Sequence, residues 1–272
     1  MVKVIPGVYA TLSEQREDLQ MDSMHLVKLR QRRNRSAILL PLLALLLLSL
    51  SGCMYPREQQ QPGSSYRESV KRVQAAVDDY QEQKGLLPIL TSDQATPRYE
   101  KFVIDLNKLQ QEGYLDEIPA AAFEKGGSAH FLVLDEETDP QVKLMDLVTV
   151  QKVNDIQRKV NLYKSAHGGK LPAGEELYPG LVSIDAKRAG TGTIKLSSVY
   201  SGQPLEFLMD SSGTVYVDYS GDISSAIDKN GSAPAAERDL RLELEQASYY
   251  VPVKSIPYLW VDGRPVPQAP QE

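Results

Sequence analysis

Residues 36–53, SAILLPLLALLLLSLSGC, constrain this chain more than any other stretch. Residues 37–50 are apolar apart from Ser49, with Pro41 inside the run, and five basic residues stand before it: Lys28, Arg30, Arg32, Arg33 and Arg35. The run is shorter than the roughly 20 residues that cross a bilayer comfortably as a helix. A basic cluster, a short apolar run and a small-residue ending form the layout of a secretory signal segment, with the basic cluster held on the cytoplasmic side. Whatever globular fold the chain has must therefore be built from the residues after it.

The run ends Leu50-Ser51-Gly52-Cys53, which resembles the lipobox of bacterial lipoproteins. That resemblance implies a diacylglyceryl group on the Cys53 thiol and cleavage just before Cys53. Leu50, Ser51 and Gly52 would be the signal-peptidase recognition residues, and palmitate would complete the anchor. The competing reading is an uncleaved membrane anchor with a chance cysteine. Residues 21–52 are then the lipoprotein signal peptide, and Met21 or Met24 would open it with an ordinary basic n-region. Residues 1–20 are read as an extension of the gene model. Arg16-Glu17-Asp18 can be encoded by a purine-rich, ribosome-binding sequence just ahead of the Met21 codon. The expected location is the outer face of the bacterial cytoplasmic membrane.

Removing residues 1–52 takes away 7 of 30 basic and 4 of 36 acidic residues and leaves 220 residues with 23 basic and 32 acidic, a net charge of −9. That length is one large domain or two small ones. An acidic exterior argues against nucleic acid as a partner and against electrostatic docking on anionic lipid. The membrane would be held through the lipid at Cys53. The single cysteine is consumed by that lipid, so no disulfide is available and the fold must rest on its core. His130 and His167, the only histidines after Cys53, are far apart in sequence. No metal site and no cofactor are expected.

Residues 53–64 are a polar Pro/Gln/Gly tether. A helix is expected over 65–83, with Tyr66, Val70, Val73, Val77 and Tyr80 on one face and Gly85 at its left-handed end. An extended Leu86-Leu87-Pro88-Ile89 follows, then a short helix over 106–114 closed by Gly113, and a strand over 130–134. Asp139-Pro140 reads as cap and first residue of a second long helix reaching Ala166, with Leu147, Val150, Val153, Ile156, Val160 and Tyr163 as its stripe. Extended segments are expected at 181–185, 193–196, 204–209 and 214–219. Asp210-Ser211-Ser212-Gly213 would be the hairpin turn between the last two. A loop over 228–236, a short helix over 237–246 and an extended, Pro-containing wrap over 249–261 close the fold, and 262–272 reads as a disordered tail.

The two halves look alike. Tyr80, Gly85, Leu87-Pro88, Ile104-Asp105 and Phe131-Leu132-Val133-Leu134-Asp135 recur as Tyr163, Gly169, Leu171-Pro172, Ile184-Asp185 and Phe207-Leu208-Met209-Asp210. Self-similarity of this kind predicts an α+β fold of two tandem modules, each a long helix followed by a small, mainly antiparallel sheet, over 65–138 and 139–222, with residues 223–261 as linker, short helix and wrap. Each half weakly resembles the head of a type II secretion pseudopilin, through its helix ending in Tyr, Gly and Pro. A lipobox stands where pilins carry their own leader, so the resemblance extends to module shape alone. Leu50–Pro56 (LSGCMYP), GLLPI at 85–89 and VPVKSIPY at 251–258 together resemble uncharacterised lipoproteins of Gram-positive spore-forming bacteria, some of which are named ABC-transporter extracellular binding proteins.

No stretch identifies a reaction. AGTGTIK at 189–195 lacks the Gly-Lys-Ser/Thr ending of a phosphate loop. Asp210-Ser-Ser-Gly and Asp228-Lys-Asn-Gly lack the glutamate of a calcium loop. The acidic run Asp135-Glu136-Glu137-Thr138-Asp139 reads as a solvated, helix-capping loop, and both histidines as surface or capping residues. No catalytic residues are assigned. The expected function is a non-enzymatic, lipid-anchored interaction or scaffold module with an envelope protein partner. The alternative is the extracellular solute-binding component of an ABC transporter.

Overall fold

The structure, a computed structural model, describes residues 62–231, 234–235 and 237–270. Leu50, Ser51, Gly52, Cys53 and the expected signal peptide and tether up to residue 61 lie outside them. The described residues form one compact unit of helices and small antiparallel sheets, an α+β fold. Among the described residues no helix is long and apolar enough to cross a membrane.

The first module opens with α1, Pro62–Lys84. Its expected stripe is the buried one: Val70, Val73, Val77 and Tyr80 are at most 4% exposed and sit in a core with Phe131, Val133, Val142 and Leu144. Gly85 ends the helix at φ 69°, a conformation that costs glycine least. The chain then meanders. Ile89 bridges Ile104 antiparallel, Val103 bridges Leu132, and β1 (Ala129–Leu134) pairs β2 (Gln141–Asp146) in regular register. A short helix α2, Leu106–Gln111, hangs from this meander, capped by the Asp105 side chain.

The second module repeats the plan. Helix α3 (Leu147–Ala166) leads through Leu171-Pro172 into a four-stranded antiparallel sheet in sequential order: β3 Ala173–Tyr178, β4 Leu181–Ile184, β5 Glu206–Met209, β6 Val215–Asp218. Asp185 caps the short α4, Ala186–Ala189, as Asp105 caps α2. The Asp105 N–H donates to the Pro88 carbonyl at 2.7 Å and the Asp185 N–H to the Pro172 carbonyl at 2.8 Å. A second correspondence lies inside the helices. Gln74 of α1 accepts from the Val142 N–H at 2.7 Å and donates to the Pro140 carbonyl at 2.9 Å. Gln157 of α3 accepts from the Val215 N–H and donates to the Gly213 carbonyl, both at 2.8 Å. In each module one glutamine clamps the helix to the start of the last strand.

Three expectations are corrected. Asp139-Pro140 does not open a helix: residues 141–146 alternate, with Val142 and Leu144 in the core, and form β2, whose hairpin crosses the expected module boundary at 138/139. The helix starts after Asp146, whose carboxylate accepts from the Val148 and Thr149 N–H groups and from the Thr149 hydroxyl. The acidic run is therefore a hairpin turn, with Asp135 paired to Arg98 at 2.9 Å. Residues 228–230, expected in a loop, end a further helix α5, Ser220–Asn230, whose Ile223, Ala226 and Ile227 are buried. The expected disordered tail instead contributes β8 (Arg264–Pro267), paired with β7 (Tyr258–Val261) across an Asp262-Gly263 turn. The expected helix at 237–246 is α6, Arg241–Ala247.

The wrap ties the modules together. The Leu144 N–H of β2 donates to the Tyr249 carbonyl, the Val251 N–H donates to the Leu144 carbonyl, and the Val217 N–H of β6 donates to the Lys254 carbonyl. One extended segment thus covers one edge strand of each sheet, which removes two open edges. Val251 and Val253 join Leu132, Leu134 and Met145 in a separate seam core, against which Leu147 and Val150 of α3 also pack. Around this core, Tyr99 donates to Glu245 at 3.1 Å, Arg98 pairs with Glu245 at 3.3 Å and Lys254 with Glu100 at 2.7 Å. Burial, partly offset by the Glu245 charge, lowers the Lys143 pKa, and its ammonium donates to the Glu245 and Ser248 carbonyls.

Candidate functional site

The seam between the modules carries one depression, and a second neighbours it within the second half of the chain, sharing Val199 and Ser248. The outer one, ≈ 450 Å³, is lined by Tyr66 of α1, Asp146 and Val148 at the start of α3, and Tyr249 and Tyr250 of the wrap. Tyr66 and Tyr250 meet edge-on with centroids 5.4 Å apart. Burial, and then the neighbouring Tyr66 hydroxyl, push the Tyr250 pKa upward. Asp146 has both oxygens occupied by the α3 cap, so it lines this groove as a structural acid.

The inner depression, ≈ 230 Å³, lies between α5, α6 and the loop carrying Tyr200 and Ser201. Helix α5 presents Asp222, Ser225, Ala226 and Lys229 to it, the i, i+3, i+4, i+7 set of one helical face. Ser198 shapes the opposite loop, its hydroxyl oxygen accepting from the N–H groups of Tyr200 and Ser201. Tyr200 donates to the Tyr250 carbonyl at 3.3 Å. Burial, then the Tyr219 hydroxyl and the nearby Asp222 charge, raise the Tyr200 pKa. Asp222 is 5% exposed and its Oδ2 has no hydrogen-bond partner. The other buried carboxylates are satisfied: Asp146 by the α3 cap, Asp210 by Ser212, Thr214 and Tyr216, Glu243 by Asn230 and Arg238, Glu245 by Tyr99 and Arg98.

A wider depression, ≈ 750 Å³, lies over β4 and β5 beside the 190–194 loop, part of the stretch that superficially resembles a phosphate loop. Its charged residues, Lys187 and Glu206, are both exposed, so nothing in it is held or desolvated for a ligand. The two histidines are separate. His167 caps α3 and stacks on Tyr163 at 3.8 Å, while His130 packs against Phe123. Among the described residues no group of three or more His, Cys, Asp or Glu side chains is placed to hold a metal ion.

None of the residues that line the two neighbouring depressions was singled out in the sequence as a site. Tyr249 and Tyr250 belong to the stretch expected as an extended wrap and are half-buried, while Asp222 has no marker beyond being an acid in a Ser-rich stretch.

No curated protein and no solved structure matches the chain. Residues 66–146 match the model of the YphF family N-terminal domain. That match runs from Tyr66, a half-buried residue of α1, to Asp146, the last residue of β2, so its limits coincide with the first module as the hairpin closes it.

Proposed function

We propose that the protein is a lipid-anchored lipoprotein on the outer face of the bacterial cytoplasmic membrane, and that it acts there as a non-enzymatic interaction module. The anchor rests on Leu50-Ser51-Gly52-Cys53 behind a basic and an apolar run, nine residues before the folded unit begins at Pro62. One observation carries the binding role: two modules are locked into one body by a shared wrap, and the seam so made keeps an aromatic-walled groove next to a buried acid. Such concave, mostly apolar sites with a few placed polar groups are where ligands and partner segments bind. An envelope protein is the partner proposed for the groove. Solute binding for an ABC transporter is the second reading, favoured by the Asp222 cavity.

The test compares wild type and Cys53→Ala by fractionation, metabolic lipid labelling and cross-linking from residue 199 at the groove. The proposal expects wild type to be labelled and membrane-bound, Cys53→Ala to lose both properties, and a discrete cross-linked partner for wild type. Membrane retention of an unlabelled, cleaved Cys53→Ala protein would remove the lipobox reading. A clean membrane anchor with no cross-linked species would remove the partner.

A further inference from the structure

The inner cavity holds a carboxylate that the fold does not use. A buried polar atom without a partner is uncommon and needs a reason, and desolvating a charge without pairing it is costly. Asp222 sits in the first turn of α5, where an acid complements the helix dipole. That effect accounts for an acid at the surface as well, and so does not explain why this one is 5% exposed with Oδ2 unpaired. Among the described residues the other carboxylate oxygen buried without a partner is Oε2 of the half-buried Glu124, while the remaining fully buried acids, Asp146, Asp210, Glu243 and Glu245, have donors within the fold. Two helical turns further along the same face, about 10 Å by helix geometry, stands Lys229, exposed and without an ion pair among the described residues. Between the two lie a hydroxyl, Ser225, and a methyl, Ala226, and Leu244 and Val199 close the sides. At ≈ 230 Å³ the space is smaller than the roughly 300–1,000 Å³ of a drug-sized ligand site.

We propose that this cavity is a binding site for a small zwitterion of amino-acid or short-peptide type, its ammonium group held by Asp222 and its carboxylate by Lys229. The inference rests on the reading of the protein as a binding module and adds the ligand's chemistry. No cation pairs with Asp222 among the described residues, and an ammonium at the cavity wall supplies one through a charge-assisted contact. A cation alone would leave Lys229 unpaired and near it. An anion alone would meet the Asp222 charge.

The full chain in detergent is titrated with alanine, dialanine and trialanine by thermal shift and calorimetry, alongside N-acetyl-alanine and N-acetyl-dialanine, which lack the amine, and the corresponding C-terminal amides, which lack the carboxylate. At least one free zwitterion is expected to bind and raise the melting temperature, and its length separates an amino-acid site from a peptide site. Acetylation and amidation should each weaken binding by about 10- to 100-fold, the range of a lost bond to a charged group. Asp222→Asn should match the loss caused by acetylation and add nothing to it. Lys229→Met should do the same with amidation. Asp222→Asn keeps size and shape, and its ligand-free melting temperature should not fall below that of wild type. Failure of every zwitterion to bind, or equal binding of dialanine by Asp222→Asn and wild type, would overturn the site. Neither result bears on the anchor, which fractionation decides separately.

Discussion

Replacing Gln157 by Ala tests the helix-to-sheet clamp that the two modules share. The side chain holds the Val215 N–H and the Gly213 carbonyl, each at 2.8 Å. Val215 is 3% exposed and Gly213 is also buried, so water cannot take over both bonds. Each buried group left unpaired costs about 1–3 kcal/mol, so Gln157→Ala should destabilise the domain by about 2–5 kcal/mol. At roughly 2–4 °C per kcal/mol for a domain of this size, the melting temperature falls by about 5–15 °C. Gln74→Ala breaks the matching pair at Val142 and Pro140, but Pro140 is only half-buried and its carbonyl can be rehydrated. Its cost should be smaller, about 1–3 kcal/mol on the same scale. The two clamps share no partner, so the double variant should add the single effects to within about 0.5 kcal/mol. Urea unfolding followed by circular dichroism measures all three, with the midpoint shifting at constant slope. Losses below about 0.5 kcal/mol for both single variants, the range of an ordinary surface substitution, would refute the clamp as a stabilising element.

The start of α3 can be assayed in the same way: Asp146→Ala removes the cap and should cost about 1–2 kcal/mol, whereas Asp139→Ala, at an exposed hairpin position, should stay within about 0.5 kcal/mol. Burial, reinforced by the Asp210 charge, pushes the Tyr216 pKa up to about 12. The folded state therefore keeps its proton where the unfolded chain loses it, and the stability it contributes is complete below about pH 10 and lost as the pH rises through 12, as alkaline unfolding with tyrosinate absorbance at the same wavelength would record. Burial tends to raise the Asp210 pKa, but donors from Ser212, Thr214 and Tyr216 outweigh it and lower it. Its contribution is present above the ordinary carboxylate range and fades as pH falls through the depressed value, and Asp210→Asn should flatten the acid limb of the stability curve. Val266→Asp places a charge in the buried strand β8 and should lower the urea midpoint by a few kcal/mol equivalent, whereas a disordered tail would tolerate it unchanged.

Legibility in the sequence followed the strength of local patterning. The α1 stripe, Gly85, the Leu-Pro turns and the Asp210-Gly213 hairpin turn each carry their own local physics, and each stands where the sequence places it. The second long helix was misplaced because two patterns compete over the same residues. Asp139-Pro140 satisfies the rules for a helix start, while Gln141-Val142-Lys143-Leu144 alternates as a strand, and the pairing with β1 decides for the strand. Strand β3 escaped notice because AGEELY is an edge with little to bury. Helix α5 was hidden by Gly221 and three serines, although Ile223, Ala226 and Ile227 have helical spacing. Pro265 and Pro267 argued against a strand, yet β8 pairs only with β7 and is an edge, where proline is tolerated. Gln74, Gln157 and Asp222 gave no signal, since a polar residue's partners are set by tertiary contacts.

The two neighbouring depressions arise where the repeated plan runs out. Asp146 ends the last strand of the first module and caps α3, and Asp218 ends the last strand of the second and accepts from the Ser220 N–H at the start of α5. After α3 a full meander follows and covers the Val153, Ile156 and Val160 face. After α5 come α6, the wrap and the β7–β8 hairpin, which bury Ile223 and Ile227 but leave Ser225 and Lys229 uncovered beside Asp222. Substitutions at the exposed positions 199, 201, 225 or 229 therefore change the cavity wall while leaving both module cores intact, whereas Tyr200 packs on the second core. The same changes at Val153 or Val77 would open voids inside a core and unfold the module that contains them. The wall beside Asp222 can therefore vary independently of both module cores, because α6 and the β7–β8 hairpin pack on α5 without covering its Ser225 and Lys229 side.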